Sequence, residues 1–316
     1  MYELILSISM KLLIVTTFIL LAVSCSSKKK TTIEERIKYE KEIDKWHETR
    51  IKNLKASNGW LNLAGLYWLH PGINTFGSGP KNDIIFPSGE IVSEAGYFLA
   101  KNGQVVLVTK SNASIKINQQ LITQAVIFHP DSTRPIIAES GSLRWSIIKR
   151  EDKLGVRLRD LESEFVKEFT GIDRFPVNAN FQVEADFEFA DSTHTIDITN
   201  VLGQTLPQHS PGTLSFELFG SRYRLDALEE KNELFIIFAD ATSGRETYGS
   251  GRFLYAKKPN GNGKVLIDFN KAYNPPCAFT PYATCPLPPK QNVLPIAIKA
   301  GEKNFSNPKE HHSLAI

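Results

Sequence analysis

Phe181-Gln182-Val183-Glu184-Ala185-Asp186-Phe187-Glu188-Phe189 alternates strictly between apolar and polar side chains. Successive side chains of a strand point to opposite faces, so Phe181, Val183, Ala185, Phe187 and Phe189 share one face and the polar residues the other. The stretch reads as a half-buried antiparallel strand. Short apolar runs of the same kind follow at residues 195–198, 213–219, 222–228, 234–238, 252–256 and 265–269, with Phe219-Gly220-Ser221-Arg222 as a hairpin turn. Upstream, runs at 105–108, 114–117, 144–148 and 156–159, with a turn at Asn102-Gly103, predict another set of strands. The expected fold is therefore mainly β, with two β-rich domains: an N-terminal sandwich over residues 58–165 and a C-terminal antiparallel sandwich or barrel over 166–306. Their natural boundary falls at 169–176.

One helix precedes the strands. Thr32-Ile33-Glu34-Glu35 fits a capping box, and Ile33, Ile37, Ile43, Trp46, Ile51 and Leu54 recur at near-helical spacing among charged residues, which predicts an amphipathic helix over 32–57. Ahead of it, Met10-Lys11 and the apolar run 12–23 have the charged start and short core of a secretory signal. Leu21-Ala22-Val23-Ser24 before Cys25 resembles the lipobox of bacterial lipoproteins, with Ala22 where a leucine is usual. Residues 1–25 are then a signal peptide, 26–31 a polar tether and Cys25 a lipidated anchor, which two or more acyl chains make stable. An uncleaved anchor, or a signal cut elsewhere, is the plainer alternative. Ser26 after the cysteine points to the periplasmic face of the outer membrane. Residues 307–316 read as a flexible tail.

A net charge of +3 on 316 residues offers no concentrated basic face, so nucleic acid is not an expected partner. With Cys25 lipidated, the remaining two of the chain's three cysteines, Cys277 and Cys285, form an even pair in an oxidising compartment. A disulfide is the default expectation, with two buried thiols as the alternative. No phosphate-cradling glycine loop or dinucleotide fingerprint occurs, and no histidine has metal-ligand spacing, so no cofactor or metal is expected.

Two segments concentrate polar chemistry. The stretch 238–252 leaves an apolar strand, crosses a glycine-rich bend and re-enters a strand, carrying Asp240, Thr242, Glu246, Tyr248 and Arg252. Loops at strand ends are where a rigid scaffold presents converging groups; the bland alternative is a hairpin in which Asp240 and Thr242 make turn bonds and Arg252 pairs with Glu246. The stretch 268–289 holds Asp268, Asn270, Tyr273 and Asn274 between proline clusters that stiffen the backbone, and it either walls a pocket or covers an open sheet edge. Together they suggest a site in the C-terminal domain for a small molecule or glycan. A hydrolase using Asp240 or Asp268 as general base, or an envelope scaffold docking through a sheet edge or the helix, are the alternatives.

Asn74-Thr75-Phe76-Gly77-Ser78, residues 82–87 and Val92-Ser93 resemble the opening of a forkhead-associated (FHA) domain, a β-sandwich that reads phosphothreonine. Where that family has an arginine this chain has Ser78, which removes the bidentate phosphate fork, so the resemblance implies the scaffold and not the ligand. The chain after the leader is similar to the DUF1684 family. That similarity rests on Gly59-Trp60-Leu61 with residues 65–69, on 238–244 with 246–249 and 251–253, and on 268–289 followed by 292–295 and Ala300-Gly301-Glu302. The resemblance implies an uncharacterised, often exported protein and assigns no catalytic residue.

Overall fold

The computed structural model describes residues 32–305. The expected signal peptide, tether with Cys25 and tail at 307–316 lie outside the described residues. The chain divides into two compact units, one up to Glu42 and one from Ile43 on. In the first, the capping box closes as written: Glu35 N–H donates to Thr32 Oγ1 at 3.1 Å and Thr32 N–H to Glu35 Oε2 at 2.8 Å. The helix so started spans Ile33–Lys55. Its apolar stripe is not uniformly used. Ile33 and Ile37 stay exposed, whereas Ile43 and Leu54 are buried.

The second unit is mainly β. A six-stranded sheet runs in the order Leu63–Trp68, Lys153–Asp160, Leu143–Arg150, Ala138–Ser140, Lys116–Ile117, Gln120–Leu121. It packs on a five-stranded sheet ordered Ile84–Ile85, Gly72–Gly77, Gly96–Lys101, Gln104–Thr109, Gln124–Phe128. Alternation along each strand sends one set of side chains inward. Phe76, Phe86, Phe98 and Trp145 meet there, with Phe76 and Phe98 ring centres 4.6 Å apart. The other face of the first sheet is half-buried and carries Arg144, Arg150, Arg157 and Arg159. Asn102 and Gly103 both take positive φ, as the tight hairpin between 96–101 and 104–109 requires.

The C-terminal half is a six-stranded antiparallel sheet in the order Arg252–Lys257, Glu233–Phe238, Ser221–Glu230, Gly212–Leu218, Gln182–Phe189, Lys264–Asp268. Its first and last strands also touch, so the sheet curls into a nearly closed barrel. Phe181, Val183, Ala185 and Phe187 point into the barrel core as their alternation predicts; Phe189, at the strand end, is exposed. The barrel interior is filled by Phe238, Leu254, Ile267 and Phe269, together with Leu294, Ile298 and Ala300 from the last described stretch of chain. A separate hairpin, Thr195–Thr199 with Thr205–His209, lies beside the proline-rich segment, where Val201 N–H donates to Cys285 O at 3.0 Å and Leu287 N–H to Thr199 O at 2.8 Å. Its second strand contains Pro207, which conceals it from a sequence reading.

Candidate functional site

Asp240 and Arg252 leave adjacent barrel strands and meet inside the protein, both fully buried, with Arg252 Nη2 2.7 Å from Asp240 Oδ2. Asp240 Oδ1 accepts from Thr242 N–H at 2.8 Å, from Thr242 Oγ1 at 2.6 Å and from Ile298 N–H at 3.1 Å. The guanidinium also donates to the carbonyls of Ile298, Ala300 and Glu302. Both carboxylate oxygens are thus engaged, in a buried network that fastens the strand ends to residues 298–302. Glu246 is not the partner of Arg252; it faces solvent and pairs with Lys299 at 2.9 Å. Thr242 is sealed in the same network, where its hydroxyl meets that of Thr247 at 2.9 Å.

Asp268 and Asn270 play a comparable part at the end of the last barrel strand. Asp268 Oδ1 accepts from Asn270 N–H at 3.1 Å, and Asn270 spans to Asn178 through 2.9 Å bonds. Asn274, fully buried, receives the carboxylate of Glu302 on its N–H at 2.7 Å and donates through Nδ2 to Lys303 O at 2.7 Å. Glu302 is the buried carboxyl the sequence reading passed over; removal from water pushes its pKa up, against the pull of Arg50. Gly301 allows the close approach beside it: at φ +76 an added Cβ would lie 2.3 Å from Ala272 O.

The two polar segments do meet. Tyr248 donates its hydroxyl to Cys277 O at 3.1 Å, and Phe253 and Tyr273 exchange backbone bonds at 2.9 Å. Cys277 and Cys285 lie side by side as unbridged thiols, each backbone N–H directed at the other's sulfur, at 3.1 and 3.4 Å. Their mutual hydrogen bond lowers the Cys277 pKa and, with burial, pushes Cys285 up.

Between the outer face of the first sheet and the outer face of the barrel lies a cavity of about 400 Å³. Of the candidate ligand-binding residues and the two cysteines, Tyr273 and Cys285 line it; the rest of its polar wall is Arg50, Arg150, Arg157, Glu230 and Thr284, and its apolar wall includes Trp60, Phe253 and Tyr255. Arg50, Arg150, Tyr255 and Tyr273 are held in place by partners. Arg50 bonds Glu302 at 3.3 Å and Asn274 O at 2.8 Å and lies 4.5 Å over the Tyr273 ring. Tyr273 stacks on Tyr255 at 6.3 Å, and Tyr255 donates to Glu230 at 2.6 Å. Burial raises the pKa of both phenols. Arg150 donates to Thr284 Oγ1 at 2.8 Å. Arg157 rests 5.6 Å from the Trp60 ring, and its buried Nε and Nη2 have no hydrogen-bond acceptor. Burial and the neighbouring Arg150 and Arg159 pull its pKa down to about 10. A second cavity of about 340 Å³ shares Arg157 as part of its wall.

Comparison with known proteins gives a family model, described as a protein of unknown function (DUF1684), over residues 167–303. A solution NMR structure of an uncharacterized protein from Haloarcula marismortui is 30% identical, over 44% of this chain and 80% of that one, with a TM-score of 0.38. The chain belongs to the DUF1684 family. Two FHA-domain structures are similar at 11% identity over 30% of this chain, each with a TM-score of 0.21: the FhaA FHA domain complexed with an intracellular domain, covered over 97% of its length, and one from a study of phosphothreonine-dependent FHA interactions, covered over 92%. No curated protein matches the chain.

The matched DUF1684 region contributes Tyr255, Tyr273 and Cys285 to the cavity, whereas Arg50, Trp60, Arg150 and Arg157 lie before it in the sequence. The arginines had a visible signal. In Arg144-Trp-Ser-Ile-Ile and Val156-Arg-Leu-Arg159 the polar phase of each strand is basic, and Arg144 sits directly opposite Arg159 in the sheet. Like charges facing across strands are unfavourable unless something on that face compensates. Among the described residues no three His, Cys, Asp or Glu side chains group to hold a metal ion, and no described helix is long and apolar enough to cross a membrane.

Proposed function

We propose that the protein is a lipid-anchored envelope protein, tethered through Cys25 to the periplasmic face of the outer membrane, that binds a small molecule between its two β-rich halves. The single observation that carries the binding reading is the cavity of about 400 Å³, with aromatic rings on one side and fixed polar groups on the other. That size and that mixture are those of a small-ligand site. The site differs from the one the sequence suggested: the 238–252 bend and residues 268–274 act as its foundation, holding Tyr273 and Arg50 in place through Asn274 and Glu302. Pre-positioned walls reduce the ordering cost of binding. The hydrolase reading draws no support from Asp240 or Asp268, whose oxygens are committed to backbone and side-chain donors.

The test is native mass spectrometry of protein purified from its own host, beside a Thr284→Trp variant that puts an indole into the cavity. The wild type is expected to carry a bound small molecule that the variant lacks. Wild-type protein that arrives empty, and whose melting temperature no member of a metabolite library raises, overturns the reading.

A further inference from the structure

We infer that the ligand of this cavity is a small organic anion, a carboxylate or phosphate attached to a flat apolar body, received by Arg157. The inference rests on the binding reading above and names the chemistry of its ligand.

Charge bookkeeping around the cavity comes first. Arg50 is matched by buried Glu302. Glu230 stands exposed and accepts from Tyr255. Arg150 has a threonine hydroxyl and its neighbour's carbonyl as acceptors, and neither Arg150 nor Arg157 has a carboxylate partner among the described residues. Cys285 supplies no counter-charge, because its thiol is held neutral by Cys277 and by burial. The wall therefore carries uncompensated positive charge in a place largely withdrawn from water, where an unpaired charge is costly.

The shape of the unmet demand is more specific than its sign. Nε and Nη2, the two orphaned donors of Arg157, form one edge of the guanidinium, the side-on fork that matches two oxygens of a carboxylate or phosphate. Trp60 lies along the guanidinium face, with its ring centre 5.6 Å from Cζ, which leaves the edge as the group's directional feature. Arg157 borders the cavity, so a turn of its outer torsions brings that edge to an anion lodged there. Phe253, Tyr255 and Tyr273 offer rings to the remainder of the molecule.

The experiment titrates a set of aryl and alkyl carboxylates, each beside its primary amide, by ligand-observed NMR on wild type, Arg157→Gln and Arg157→Lys. Acids should bind the wild type at least tenfold more tightly than their amides. Arg157→Gln should erase that preference, and Arg157→Lys should keep the charge preference in weakened form. Acids and amides binding equally would leave the cavity as a binding site and overturn the anion. If neither series binds, the binding reading fails along with the inference. Thermal melts of the ligand-free variants add an independent readout: Arg157→Gln should be at least as stable as wild type, because it removes an unpaired guanidinium, and strong destabilisation would mark Arg157 as a structural group and overturn its role as receptor.

Discussion

Replacing Arg252 by methionine should cost the protein a large share of its stability. The substitution keeps an unbranched stem but removes the 2.7 Å bond to Asp240 and strands the carbonyls of Ile298, Ala300 and Glu302. Breaking a buried pair by deleting one partner costs about 3–5 kcal/mol. One term runs the other way: Arg252 Nε has no acceptor, so its loss relieves an unsatisfied donor. We expect a net loss of about 4 kcal/mol, and at about 2–4 °C per kcal/mol for chains approaching this size a melting temperature lower by roughly 8–16 °C. Urea unfolding followed by tryptophan fluorescence reads it directly, as a lower midpoint at unchanged slope. Asp240→Asn should be destabilising too, and the double variant should fall short of the sum of the singles by about 2 kcal/mol or more. Glu246→Gln, at an exposed ion pair, should shift stability by less than about 0.5 kcal/mol. A loss below about 1 kcal/mol for Arg252→Met would show that the network does not fasten the barrel and would refute the argument.

Glu302 gives a pH signature. Its folded pKa lies above the ordinary carboxylate value of 4.5, because burial disfavours the charged form. The folded state therefore binds the proton more tightly than the unfolded one, and the group's contribution is complete below pH 4.5 and lost as pH rises through the folded value. The stability of wild type relative to Glu302→Gln should fall over that window and level off above it; a constant difference between urea midpoints at pH 4 and pH 8 would contradict the assignment. For the cysteines, oxidised wild type should exceed Cys277→Ser/Cys285→Ser by about 2–3 kcal/mol through closure of a short loop, and equal stabilities under oxidising conditions would show that no bridge forms. Cys25→Ser should release the protein from membrane fractions, and retention there would defeat the lipid anchor.

Much of the fold was legible because its strands obey simple periodicity. The turns at Asn102-Gly103 and Phe219-Gly220 and the strands Gln182–Phe189 and Ser221–Glu230 fall where alternation and turn chemistry put them. The strand Lys116–Ile117 falls within the expected run 114–117, whereas its two-residue partner Gln120–Leu121 is too short to register as a pattern. The site was harder. Asp240 and Arg252 announce themselves as chemistry, yet both are drawn inward by backbone groups around residue 300, an N–H for the carboxylate and carbonyls for the guanidinium, a tertiary fact with no local trace. Arg157 belongs to a visibly basic strand face, but its place in a cavity wall arises only when a second β-structure covers that face.

The stretch from Asn292 to Glu302 lies against the barrel, with Leu294, Ile298 and Ala300 turned into its core while Val293 and Lys299 stay exposed. Asn292 bonds the backbone of Asp226 and Ile237, Leu294 and Ile298 fill the interior, and residues 298–302 supply the acceptors that neutralise Arg252. During synthesis or export the strands ahead of it therefore wait with an open centre and with Arg252 short of its carbonyl acceptors. They become a finished domain only when residue 302 arrives, so any factor that shields exposed apolar surface must stay with this polypeptide until then.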